Sequence, residues 1–256
     1  MSVAATAELV ARADPDRFNA AMAAPPEARA VLFPIHAFNV EISRAPWVTE
    51  EPMIAEMRLQ WWRDALEEIG QGRPPRAHEV VGPLAAVIDA EGAALLDRAV
   101  AARRWDVYKD AFEDAAQFED YIDATAAGLM WAAARALGAG AEAEPIVRDF
   151  GRGAGLAAFF RAIPELEARG RKPLPDGRPG TVQTLARQGL DRIARARRSR
   201  FGLDARAAPA LYPGWQAAAI LRQAAADPGR VPAGTLRVSE FRRRAGLLAL
   251  SLTGRW

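Results

Sequence analysis

Residues 161–175 read RAIPELEARGRKPLP. The stretch opens on the tail of an apolar run, GAGLAAFF (153–160), and ends in a turn of the form GR-x-x-LP. A helix over about 143–168 is predicted. Gly170 is a natural stop, and the loop over 170–180 holds two more glycines and three prolines.

The chain has 256 residues, half of them apolar and 26% charged, as in an ordinary globular protein. It has no cysteine, so neither a disulfide framework nor a thiolate metal site is available. His36 and His78 are its only histidines, which argues against a histidine-rich metal centre. The net charge of +2 conceals an asymmetry. Residues 1–128 carry 12 basic and 22 acidic side chains, and residues 129–256 carry 22 basic and 10 acidic. Only Lys109 and Lys172 are lysines; the other 32 basic residues are arginines. Arginine grips carboxylates and phosphates in a forked geometry, but a GC-rich genome writes the same bias. The N-terminal stretch has early acidic residues and no long apolar core, so no signal peptide is expected. No run reaches the roughly 18 to 20 apolar residues of a span. The expected location is cytoplasmic or peripheral on the inner membrane face.

Beta-branched residues are sparse and alanine is abundant, so helix should dominate. Helices are expected over 3–13, from Pro26 to about Ala45 with a kink at Pro34, and from Pro52 to Gly70. Others are expected near 78–90, 92–103, onward from Trp105, over 117–138, and near 181–200, 206–226 and 237–252. No internal repeat or boundary divides the chain, so residues 1–256 are read as a single all-α domain.

Five places carry recognisable spacing. Arg29 precedes Ala37-Phe38, which leads into Asn39, Val40, Glu41 and on to Trp47. The run EMRLQWWRDAL follows at 56–66. Trp105-Asp106 and Ala127-Gly128-Leu129-Met130 come next, and then the opening stretch. Together these resemble the squalene/phytoene synthase family over about residues 14–176. The resemblance implies a helical bundle of the isoprenoid synthase type around a central apolar cavity. In that family an aspartate-rich helix follows the AF dipeptide, and a second signature reads roughly N-x-x-RD-x-x-ED-x-x-x-GR-x-YLP. Arg161, Glu165, Gly170, Arg171, Leu174 and Pro175 match the second signature. Ala158, Ala162, Leu166 and Pro173 replace its asparagine, two aspartates and tyrosine, while Ser43, Arg44 and Trp47 stand at the carboxylate positions of the first.

Such synthases ionise an allylic diphosphate, and Mg²⁺ neutralises the leaving group through oxygen ligands. Aspartates at i and i+4 share one helix face and can aim at one ion. Neither helix keeps its pair here, so no metal site is expected. HAFNVEISRAP, MRLQWWRDALEEI, DATAAGLMWAAARALG and the 159–175 run are similar to a degenerate branch of the same superfamily that includes the mitochondrial assembly factor for respiratory complex I. That resemblance implies a noncatalytic role in assembling the membrane-bound NADH dehydrogenase, with a complex I subunit or assembly protein as partner and no cofactor.

Two alternatives stay open. One is a head-to-head prenyltransferase that uses Mg²⁺ and a displaced acid set of Glu41, Asp64, Asp106 and Glu165. The other is a protein that binds an isoprenoid or lipid in the cavity. Arg29, Arg161, Arg171, Trp61 and Trp62 are the candidate binding residues. Trp61-Trp62 equally suits a helix core, Arg161 and Arg171 could instead tie the helix end through local carboxylates, and Asp64 and Asp106 suit internal partners for arginine. His36 reads as a hydrogen-bonded core residue. The segment 186–200 has six arginines, and FRRRAGLLALSLTGRW (241–256) is either a last core helix or a contact with an anionic membrane surface. No motif points to nucleic acid.

Overall fold

The computed structural model describes residues 3–256. Among them no strand forms; helices joined by short turns and 3-10 segments carry the chain. The first is α1 (Val3–Ala13). Asp14 then caps α2 (Pro15–Met22), its carboxylate accepting the Arg17 backbone N–H at 2.9 Å. Proline sits at the first position of α2, α3 (Pro26–Arg44) and α4 (Pro52–Gly70), where the missing N–H costs nothing. The helix of α3 runs on through Pro34, and Ala45–Trp47 follows as a single 3-10 turn.

Past α4 the segments expected near 78–90 and onward from Trp105 are less helical than the sequence suggests. Only Val81–Ala85 (α5) is helical before Asp89 caps α6 (Ala90–Ala102), accepting from the Gly92 N–H at 2.7 Å. No helix runs on from Trp105. The turn Arg103–Asp106 ends there, because Arg171 takes the carbonyl oxygens of Trp105 and Tyr108 that a continuing helix would need. Asp114 caps a fresh start at α7 (Ala115–Ile122). The helix expected over 117–138 is continuous with α7, but its middle, Asp123–Gly128, is a π turn leading into α8 (Leu129–Ala136).

The long helix α9 (Glu144–Ala168) is the axis of the molecule, packing on α8, the π turn, α10 (Pro179–Arg198) and α11 (Ala217–Ala226). Glycines let it approach its neighbours closely. A Cβ on Gly151 would lie 2.6 Å from the Ala127 Cα, and one on Gly153 would lie 2.8 Å from the Gly189 carbonyl oxygen. Neighbouring helices thereby touch backbone to backbone on two sides of α9. Its end is a Schellman motif. Gly170 has φ +79°, its N–H reaches the Glu167 oxygen at 2.8 Å, and the Arg171 N–H reaches the Leu166 oxygen at 3.0 Å. The segment expected as helix over 206–226 divides. Pro209 and Pro213 lack donors, so Ala208–Gly214 is 3-10 and α11 begins at Ala217. The last helix is α12 (Glu240–Thr253).

One contiguous apolar cluster runs from Leu9 to Leu250. Asp16 ties its surface together, pairing with Arg161 at 3.3 Å and with Arg243, and accepting from Gln216 at 3.0 Å. These contacts join α2, α9, the start of α11 and α12. No described helix is long and apolar enough to cross a membrane.

Candidate functional site

Two helical walls face each other across a cavity of about 410 Å³. From the α3 side come Asn39, Ser43 and Trp47, and from α9 come Ala158, Ala162 and Leu166. Each set is spaced i, i+4, i+8, so each lines one stripe. Gly155, Phe159, Glu165 and Arg169 extend the α9 wall, and Ile122, Thr125 and Ala126 bring in the π turn. The Thr125 hydroxyl donates to the Tyr121 carbonyl at 2.6 Å, serving a carbonyl at the point where the helix widens.

One end of the cavity is polar. Asp106 is buried, and its two carboxylate oxygens accept from the Tyr121 hydroxyl at 3.1 and 3.0 Å. Arg103 donates to Asp106 at 3.0 Å and to the Tyr121 oxygen at 2.8 Å. Arg171 completes the group, 4.0 Å from Asp106 and over the face of Trp105 at 4.7 Å. Burial raises the Tyr121 hydroxyl above the ordinary tyrosine value, so it stays protonated and serves as a donor. Burial lowers Arg171, against the pull of Asp106. Beneath lie stacked rings, Trp105 on Phe112 at 4.0 Å, with Phe118 and Phe159 edge-on to each other at 5.2 Å. The walls are therefore largely apolar with one arginine-rich polar end.

Of the acid candidates, Asp106 and Glu165 line the cavity and Glu41 and Asp64 do not. Asp106 is fully engaged as described, while Glu165 is well exposed and paired with Arg169 at 2.6 Å. Asp64 lies on the outer side of α4, accepting from Gln60 at 2.7 Å with Arg76 at 3.8 Å. Among the described residues no three histidine, aspartate or glutamate side chains gather in a group able to hold a metal. Mg²⁺ asks for octahedral oxygen donors. A cavity whose two carboxylates are each held by an arginine does not fit that ion.

The binding candidates are likewise spread out. Arg171 is the internal clamp already described. Arg161 faces Asp16 on the other side of α9, and Arg29 closes the turn before α3 by donating to the Ala24 oxygen at 2.8 Å. Trp62 is buried edge-on to Phe38 at 5.3 Å, and Trp61 lies under Arg76 at 5.3 Å; neither lines the cavity. His36 departs from expectation. It is buried, but neither ring nitrogen has a hydrogen-bond partner, because the surrounding stretch of α3 (Leu32, Phe33, Ile35, Val40) is apolar. Tyr121, Arg103, Arg17, Arg169 and Thr125 are polar lining residues that the sequence did not single out. The i, i+3 spacing of Arg103 and Asp106 was a usable signal, but Tyr121 has no local one.

Residues 10–178 match the family described as Squalene/phytoene synthase. The chain belongs to the squalene/phytoene synthase family. The fold agrees: the structure of a dehydrosqualene synthase superposes with a TM-score of 0.78 at 15% identity, covering 98% of this chain and 95% of that one. Sequence relatives carry a different name. The Drosophila melanogaster homolog of NADH dehydrogenase (ubiquinone) complex I assembly factor 6 is 28% identical over 204 residues, 77% of this chain and 60% of its own length. The Homo sapiens assembly factor 6 is 25% identical over 170 residues, 66% of this chain and 51% of its own. The chain thus spans only half to three fifths of those relatives. Within the family frame, the two stripes that face the cavity are those on which the family signatures place carboxylates. Here they hold Ser43, Trp47, Ala158, Ala162 and Leu166.

Proposed function

We propose that this chain is a noncatalytic member of the squalene/phytoene synthase family that acts, as one folded domain, in assembling the membrane-bound respiratory NADH dehydrogenase, complex I. One observation carries the reading: the cavity and both its helical stripes are present, while the stripe positions where the family signatures place carboxylates hold Ser43, Trp47, Ala162 and Leu166. The likeness to relatives named for complex I assembly supplies the role. The partner is a complex I subunit or another assembly protein, met at the inner membrane face. Deleting the chain from its source cells and resolving membrane complexes on a native gel tests this. Loss of assembled, NADH-oxidising complex I, restored by re-expression, is expected. Unchanged complex I would overturn it.

A second reading, an isoprenoid or lipid held in the cavity, is favoured by its size and largely apolar wall, since ligand pockets of about 300–1,000 Å³ are typical. It is compatible with the assembly role. Mass spectrometry of lipid co-purifying with wild type and with an Ala158→Trp variant distinguishes a cavity ligand from a surface contaminant. The prenyltransferase alternative has less support, because its four acids do not converge.

A further inference from the structure

The helix α12 is turned the wrong way for a core helix. Its inward side is held by the Arg243–Asp16 pair, by Gly246 against the Trp215 ring and by the buried Leu250. Its outward side carries Phe241, Leu248 and Leu252, 81%, 60% and 76% exposed, with Ala245 between them. At about 100° per residue these four fall within a sector of roughly 60°, a ridge ~16 Å long. A surface helix normally shows its polar side to water; this one adds an apolar ridge beside the exposed Arg242 and Arg244.

Beside the ridge, Arg222, Arg230, Arg237 and Arg242 line an open groove between α11 and α12 that no carboxylate lines. None of the four has a carboxylate within ion-pair distance among the described residues. From 217 to 256 the chain carries seven arginines against two acids, Asp227 and Glu240. Many arginines elsewhere are paired, as Arg63 is to Asp97 and Arg195 to Asp149; these four line one groove with no carboxylate to meet them. Here the charge is left free.

We propose that this face docks on an anionic bilayer surface, the ridge entering the headgroup boundary and the groove arginines meeting lipid phosphates. Exposed Phe and Leu flanked by arginine have the chemistry of an interfacial helix. A second copy of the chain would press its own unpaired arginines against these, and a nucleic acid would leave the apolar ridge unused. The proposal deepens the membrane-side reading given above and rests on it, but its test is separate, since vesicle binding and complex I assembly can fail independently.

Sedimentation of the purified full chain with phosphatidylcholine vesicles, with and without phosphatidylglycerol, tests it. Binding only to the anionic vesicles, weakened by salt, is expected. Leu248→Ser with Leu252→Ser should lower the partition at least tenfold. Arg222→Gln and Arg242→Gln should each lower it roughly fivefold and flatten the salt dependence. All four positions lack core contacts, and unchanged thermal melting verifies the fold. No binding to anionic vesicles, or binding that these variants leave unaltered, overturns the proposal. Self-association lost in Phe241→Ser, without vesicle binding, overturns it in favour of a second copy. Binding only to an acidic protein overturns it likewise.

Discussion

The Arg169 guanidinium lies 4.6 Å from the centre of the Trp47 ring, and Arg171 lies 5.3 Å from the same ring. Trp47 stands at a position where the family signature places a carboxylate, and Arg169 rises one turn past Glu165 on the facing helix. An aromatic ring under two arginines therefore stands where the family signature places an acid, and cation–π contact holds the three side chains together.

Restoring the acids should restore the ion. Ser43→Asp, Trp47→Asp, Ala162→Asp and Leu166→Asp together rebuild two i, i+4 pairs on facing stripes. The quadruple variant is expected to gain a thermal stabilisation by Mg²⁺ or Mn²⁺ that the wild type lacks. If wild type and variant respond equally, the cavity stripes are not the place where the metal chemistry was lost.

Asp106 is expected to be structural. Asp106→Asn leaves Arg103 and Arg171 buried without their counter-charge, a change of about 3–5 kcal/mol. Tyr121→Phe removes one donor to Asp106 and should cost about 1–3 kcal/mol. Urea denaturation measures both. A neutral Asp106→Asn would show that the carboxylate is held for something other than the fold.

The glycines of α9 set helix spacing. Gly151→Ala must displace the Ala127 backbone, and Gly155→Ala the Ala126 side chain, both in the π turn. Overpacking of this kind costs about 1–3 kcal/mol, more than the ~1 kcal/mol that alanine gains in a helix. Gly180→Ala, with open space around it, should be neutral or stabilising. A ranking in which all three behave alike would contradict the close approach.

His36 makes stability depend on pH. Burial, and to a lesser degree the charge of Arg17, hold the ring well below the ordinary histidine value. The unfolded chain takes up this proton near pH 6.5, and the folded chain only at much lower pH. No penalty exists above about pH 6.5; below it the unfolded state binds more protons and stability falls as pH falls, by about 1.4 kcal/mol per unit. Relative to wild type, His36→Leu should lose that slope between neutral pH and pH 5, whatever its baseline stability. Parallel slopes would mean that His36 finds a partner.

The long elements were legible in the sequence for local reasons. Prolines at 26 and 52 start helices, and Gly170 ends α9. The family resemblance then implied that α3 faces α9 across a cavity, which singles out positions 43, 47, 162 and 166. Tertiary competition was not legible. Arg171 reaches back more than 60 residues to take the Trp105 and Tyr108 carbonyls and so prevents a helix there. The π turn packs against Gly151 and Gly155 on another helix, and Tyr121 meets Asp106 across 15 residues of chain. The outward ridge of α12 was ambiguous because FRRRAGLLALSLT has apolar residues on both sides; only Leu250 is buried.

The most direct measurement is turnover by the purified chain. Farnesyl and geranylgeranyl diphosphates are supplied with and without Mg²⁺ beside an active synthase, and diphosphate release is followed. The account predicts release no greater than in a protein-free control, from a sample whose melting curve shows it folded. Magnesium-dependent release with a prenyl product would contradict it, and would mean that Asp106 and Glu165, or acids outside the cavity, have taken over the work of the missing pairs.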